Sequence, residues 1–193
     1  MPNALQLLRD DHKRVKDLFK KFEDAENAGT KGKVVGQTLT ELEIHAELEE
    51  VIFYPAVREE AATKEDQMDE AEEEHHIVKL LIAELRQMQP SAAHYGAKFT
   101  VLAENVKHHI DEEESEMFPK AAELGSERLN ELGVEMQARK LQLTRAQRSV
   151  ARTASKRRLT VRSKTTSTPI RRAAAKPRRV AATTAKRKTS RVV

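Results

Sequence analysis

Four stretches of this chain place apolar residues in steps of three and four, and in each stretch a histidine occupies one of the apolar places. The first reads Leu5, Leu8, His12, Val15, Phe19, and the second Leu42, His45, Glu49, Ile52, Ala56. The third reads Met68, Ala71, His75, Val78, Ile82, Leu85, and the fourth Phe99, Leu102, Val106, His109, Glu113. This step marks an amphipathic helix whose stepped residues share the face turned to the core. Four such faces must bury one another, so the expected fold is all-α: an up-down four-helix bundle with one histidine per helix inside. Nothing alternates with period two and no Asn-Gly or Asp-Gly hairpin turn occurs, so strands are not expected.

Punctuation residues set the expected boundaries. Asn3 with Gln6 resembles a capping box, opening a helix to about Ala25. Gly29, Gly32 and Gly36 predict a loop before a second helix from about Val34 to Glu60, with Pro55 near its end. A third is expected from about Thr63 to Met88, stopped by Pro90, and a fourth from a Ser91 cap to Pro119. Beyond Gly125, Leu129, Leu132, Met136 and Leu143 predict a fifth helix fading near Ser149. The expected organisation is a bundle over 1–124, an additional helix or linker over 125–150, and a disordered Lys/Arg-rich tail over 151–193, which has little to bury.

The bundle also contains a weak internal repeat. HAELEEVIFYP from His45 aligns with HIDEEESEMFP from His109, and EEHHIVKLL aligns with DDHKRVKDL, pairing His75 with His12. His12 and His45 are 33 residues apart and His75 and His109 are 34 apart, so two similar helical hairpins are implied.

Charge divides the chain. From Arg139 onward there are 19 Lys and Arg and no acidic residue, which leaves 16 of the 35 basic residues against all 31 acidic ones before it. The overall +4 therefore hides a strongly acidic bundle and a polycationic tail. Absence of cysteine excludes disulfides, a thiol nucleophile and a protein-held iron–sulfur cluster, so any metal must sit on nitrogen and oxygen. The N-terminus is too charged for a secretory signal and no run is long enough to span a membrane, so the expected location is the cytoplasm, with no membrane partner.

The histidine register carries the chemistry. The i, i+4 spacing puts His45 with Glu49, and His109 with Glu113, on one helix face. A carboxylate buried in a bundle costs several kcal/mol unless it is paired or binds a metal. If both glutamates bridge two ions, each ion receives two histidine nitrogens and two carboxylate oxygens. With a shared solvent-derived fifth ligand, one octahedral position stays open. That donor set suits iron, with zinc or manganese as competing occupants. Asp11, Glu50, Glu74 and Glu114, each adjacent to a candidate ligand, are candidates for an outer layer.

Taken together, DDHKRVKDLF, HAELEEVIFYP, EEHHIVKLL and HHIDEEESEMFP resemble the hemerythrin-type HHE cation-binding domain over about residues 3–122. The resemblance implies a non-haem two-iron site with His12, His45, Glu49, His75, His109 and Glu113 as ligands. It also implies binding or sensing of oxygen, peroxide or nitric oxide, or iron handling. Oxygen-carrying hemerythrins have a further histidine one turn after the third-helix ligand, where this chain has Lys79. Their last carboxylate lies one residue later, where this chain has Glu114. Both departures argue against reversible oxygen carriage.

Other residues receive plainer readings. His76 and His108 neighbour candidate ligands but sit in poorer register, and His94 is read as a surface residue. Tyr54 and Phe118, each before a proline, are expected to pack the bundle's end, with gating of the site by Tyr54 as the rival reading. In the tail, Lys156, Arg157, Arg158, Arg171, Arg172, Lys176, Arg178, Arg179, Lys186, Arg187 and Lys188 form clusters that resemble the tails of linker histones. Such polycations bind duplex DNA through counterion release without reading sequence, which suggests nucleoid association. The tail has no aromatic residue to stack on single-stranded bases. Contact with the protein's own acidic bundle, RNA or anionic lipid are the competing readings. A two-iron enzyme and a DNA-protecting protein remain the rival functions, since no general acid or base stands out beyond the ligands.

Overall fold

Asn3 opens the first helix: its Oδ1 accepts a hydrogen bond from the Leu5 N–H at 3.0 Å. Gln6 does not complete the box, because its amide bonds Asp10 instead. In this computed structural model, which describes residues 3–61 and 65–165, α1 (Ala4–Glu23) is followed by α2 (Ala28–Leu48). The expected glycine loop is absent. Asn27 caps α2 by accepting from the Thr30 N–H at 2.9 Å, so the helix starts at Ala28, six residues earlier than Val34, and Gly29, Gly32 and Gly36 lie inside it. Gly32 has a packing reason, since a Cβ there would stand 2.5 Å from Cγ of Pro90.

After α2 the helix passes through a π-helical stretch, Glu49–Phe53, into α3 (Tyr54–Glu60). Next come α4 (Glu65–Gln87) and α5 (Tyr95–Glu112). The expected Thr63 start lies outside the described residues. α5 begins after His94, which takes a left-handed φ of 66°, rather than at a Ser91 cap. A second π-helical stretch, Glu113–Met117, leads into α6 (Phe118–Ala121) and a short 3₁₀ turn, Ala122–Leu124. α7 (Gly125–Thr165) runs past the expected end at Ser149, so the stretch from 151 to Thr165 is helical rather than disordered. No proline interrupts it, and Ala, Leu, Lys and Arg favour the helix. One compact unit ends at Ala151 and a second begins at Arg152.

Every apolar position of the four registers is buried, as are Leu129, Leu132 and Met136 of α7. Two hydrophobic clusters result. One gathers Leu5, Leu8, Leu48, Phe53, Met68, Phe118 and the α7 leucines, and the other Val15, Phe19, Leu39, Leu42, Val78, Leu85, Phe99 and Val106. On α1, α2 and α4 the histidine falls where one cluster gives way to the other, and on α5 His109 lies at the end of the second cluster, ahead of Met117 and Phe118 of the first. The histidines thus form a polar layer between two dry cores. No described helix is long and apolar enough to cross a membrane.

Candidate metal centre

The polar layer is built in two halves, one from each helical hairpin. α1 and α2 bring His12 Nε2 to 3.1 Å from His45 Nε2, and α4 and α5 bring His75 Nε2 to 3.0 Å from His109 Nε2. Glu49 spans the halves: Oε1 lies 3.0 Å from His45 Nε2 and Oε2 lies 3.4 Å from His75 Nε2. Glu113 Oε2 lies 3.2 Å from His12 Nε2 and 3.7 Å from His109 Nε2. All six candidate ligands are buried, with Glu49 at 0% and Glu113 at 1% exposure. Their donor atoms fall into two metal-sized groups, His12/His45/Glu49/Glu113 and Glu49/His75/His109, sharing Glu49.

Three of the four histidines are aimed from behind by a hydrogen-bonded carboxylate. His12 Nδ1 lies 2.7 Å from Glu114, His75 Nδ1 2.8 Å from Glu50 and His109 Nδ1 2.7 Å from Glu74. Asp11 lies 3.9 Å from His45 Nδ1 and is held by Lys140 of α7. An ionised carboxylate only accepts, so the His12, His75 and His109 rings donate through Nδ1 and turn the Nε2 lone pair inward. Paired lone pairs about 3 Å apart repel unless a cation or proton lies between them.

The two π-helical stretches explain how neighbouring glutamates both serve one site. In each, the backbone N–H before the proline reaches back five residues, Tyr54 to Glu49 and Phe118 to Glu113. Pro55 and Pro119 lack an N–H to continue the ordinary ladder. The local widening lets Glu49 face the centre while Glu50 reaches His75, and Glu113 face it while Glu114 reaches His12. The repeat in sequence is thus a repeat in backbone geometry.

Lys79, which stands where the oxygen carriers have a histidine, bonds Glu50 at 2.5–2.6 Å. The His75 and Lys79 contacts outweigh partial burial and hold Glu50 down at about 2. Burial disfavours a charged His45, yet Glu49 and Asp11 overcome it and raise the ring to about 10; burial likewise opposes His109, which Glu113 and Glu74 raise to about 9. The cluster therefore attracts positive charge strongly. Both oxygens of Glu49 and Oε2 of Glu113 are buried with no hydrogen-bond partner among the described residues. Orphaned carboxylate oxygens facing four imidazole nitrogens are what a cation-holding site requires, and the residues fit metal.

Tyr54 does more than pack the bundle's end. It is buried, but its hydroxyl enters the polar layer, donating to Glu113 Oε1 at 2.9 Å and lying 3.3 Å from His109 Nε2. Its place before a proline shows packing equally well, so only the backbone geometry of the π-helical stretch reveals this contact. Phe118 does pack as expected, stacking on His12 at 5.7 Å between ring centres. His76 and His94 are exposed, and His108 is 68% exposed outside the centre. Lys156, Arg157 and Arg158 fall on the helical backbone of α7, and the tail cations from Arg171 to Lys188 lie outside the described residues.

The family model described as the hemerythrin HHE cation-binding domain matches residues 3–121. The chain belongs to this family. It is a metal-binding protein with a hemerythrin HHE fold. The crystal structure of an HHE cation-binding-domain-containing protein from Mycobacterium kansasii is similar, with a TM-score of 0.69 at 30% identity over 79% of this chain and 94% of that one. A protein named DNA nickase from a Nostoc species is 30% identical over 139 residues, which are 72% of this chain but only 39% of that protein.

Proposed function

We propose that the HHE unit holds two iron ions on His12, His45, Glu49, His75, His109 and Glu113, and that the pair binds or senses oxygen, peroxide or nitric oxide, or serves iron handling. The observation carrying this reading is the pairing of four inward Nε2 atoms with carboxylate oxygens that have no partner of their own. Zinc and manganese accept the same donors, so identity rests on the donor chemistry and on family membership. When bound, an iron pair supplies electrons and open coordination positions for a small oxidising or diatomic ligand. The chain's own residues do the rest. Glu114, Glu50 and Glu74 fix the orientations of His12, His75 and His109, Asp11 places negative charge beside His45, the two hydrophobic clusters flank the layer, and the Tyr54 hydroxyl holds a proton against Glu113. Lys79 keeps Glu50 ionised and occupies the register position of the carriers' extra histidine, which supports sensing, peroxide or nitric oxide chemistry over reversible carriage. The test is peroxide decay against iron loading. Decay that scales with iron and is lost in His109→Ala makes the protein an enzyme, whereas tight ligand binding without turnover makes it a sensor.

A second reading concerns location. The Lys/Arg clusters from Lys156 to Lys188 support non-specific association with duplex DNA in the nucleoid of the cytoplasm, and the Nostoc relative bears the name of a DNA-acting protein. An iron site held near DNA would then protect it from iron-driven oxidation. Retention on duplex DNA that survives truncation after Val150 would contradict this placement.

A further inference from the structure

The two halves of the polar layer are not equal. Among the described residues, the half around His12 and His45 gathers both Glu49 and Glu113, whereas the half around His75 and His109 gathers Glu49 alone. Glu113 Oε2 is turned toward the first half, 3.2 Å from His12 Nε2 against 3.7 Å from His109 Nε2. The second half has a phenol instead. Tyr54 Oη lies 3.4 Å from His75 Nε2 and 3.3 Å from His109 Nε2, and those two nitrogens are 3.0 Å apart. Two donors bonded to one ion at about 2.1 Å stand about 3.0 Å apart at right angles and about 3.4 Å apart at tetrahedral angles. The phenol oxygen and the two nitrogens therefore have the spacing of neighbours on a single cation.

Backbone geometry and the internal repeat both account for the place of that oxygen. Five residues of ordinary α-helix turn by about 500°, which would carry Tyr54 about 140° round from Glu49. The wider winding of Glu49–Phe53, in which the Tyr54 N–H bonds the Glu49 carbonyl, returns the two side chains toward one face. The second π-helical stretch does the same for Phe118 after Glu113. Each ring then lies against a histidine of the layer, Tyr54 5.5 Å from His75 and Phe118 5.7 Å from His12 between centres. The repeat-related rings differ by one oxygen, and that oxygen sits in the half with one donor fewer. Tyr54 is 2% exposed, and its proton is accounted for by the bond to Glu113 Oε1 at 2.9 Å, which leaves the oxygen able to accept. Without a cation, burial and the Glu113 carboxylate keep that proton on, well above the usual phenol range.

We propose that Tyr54 Oη is a seventh protein ligand, completing the donor set of the ion held by Glu49, His75 and His109. The inference rests on the two-iron reading and adds an asymmetry to it. One ion takes two imidazoles and two carboxylates, and the other takes two imidazoles, a carboxylate and a phenolate. As a ferric ion binds, the iron–oxygen bond forms and the phenol O–H bond breaks. The proton leaves through the hydrogen bond to Glu113, and no electron is transferred. A phenolate is a hard, anionic oxygen donor, so it favours the ferric state at that ion.

The test uses the full chain loaded with ferric iron, reading iron per chain, the visible spectrum and resonance Raman scattering. The chain has two tyrosines, and Tyr95 lies in the second hydrophobic cluster, away from the layer. Wild type and Tyr95→Phe should both show a phenolate-to-iron charge-transfer band, with enhanced ring modes that shift when ring-deuterated tyrosine is supplied during growth. Tyr54→Phe should keep two irons per chain, lose the band and the ring modes, and hold its second iron several-fold more weakly against a chelator. Circular dichroism checks that each variant is folded. Should Tyr54→Phe fail to fold, the isotope shift in Tyr95→Phe, where Tyr54 is the sole tyrosine, decides the matter. Two irons per chain without phenolate modes in wild type, or modes that persist in Tyr54→Phe, overturn the ligand and leave the two-iron centre standing. A folded chain that takes up no iron rejects the two-iron centre and the ligand with it.

Discussion

At the scale of single residues, the centre works by orientation. Glu50 is the clearest case, since one carboxylate takes both His75 Nδ1 and the Lys79 ammonium. Glu50→Gln removes the charge that fixes that ring and should weaken cation binding by about 10- to 100-fold in a chelator competition, with the helical content unchanged. Tyr54→Phe removes the hydroxyl bonded to Glu113 and should lower the stability of the metal-free chain by about 1.5–3 kcal/mol in urea unfolding, the scale of a hydrogen bond to a charged group. The candidate ligands were legible in sequence because each interrupts an apolar register that only the core can explain. Tyr54 was not, since an aromatic residue before a proline reads equally well as packing. The exact pairing of carboxylates with rings was hidden as well, because Glu50 and Glu114 adjoin residues that face inward, and an ordinary α-helix would turn them away.

Elements add what residue patterns omit. The proline at the same place in both repeats was visible, but its consequence, a switch to five-residue backbone bonding that starts at each buried glutamate, depends on hydrogen bonds that periodicity does not encode. Glycine misled in the opposite direction. Gly29, Gly32 and Gly36 read as a loop, yet the Asn27 cap and the buried Val35 and Leu39 carry the helix through them. Gly32→Ala should cost about 1–3 kcal/mol because its Cβ meets the Pro90 ring, whereas Gly36→Ala, with open space around it, should be neutral or stabilise by up to about 1 kcal/mol. Thermal melts of the two variants separate these outcomes. α7 is more than a linker, for its Lys140 reaches Asp11 and its Arg139 reaches Glu47 at 2.5 Å. Lys140→Met leaves Asp11, 4% exposed, without its ammonium partner, and a loss of about 3 kcal/mol is expected from chemical denaturation.

For the molecule as a whole, bundle and tail obey different physics. The bundle gathers two hydrophobic clusters around a layer whose buried carboxylates and imidazoles attract cations, so folding and metal binding are linked. Stripping metal should therefore lower the melting temperature, and restoring the ion at about a thousand times its dissociation constant should return roughly 4 kcal/mol. The tail reads first as charge with little to bury, although the proline-free Ala, Leu, Lys and Arg up to Thr165 favour the helix that α7 continues. The most direct measurement is iron per chain together with the visible spectrum before and after peroxide, for the wild-type chain and Glu49→Ala expressed with added iron. Two irons per chain, with a spectrum that responds to peroxide in wild type and is absent from Glu49→Ala, are expected. A folded helical chain that binds no iron would contradict the two-iron centre.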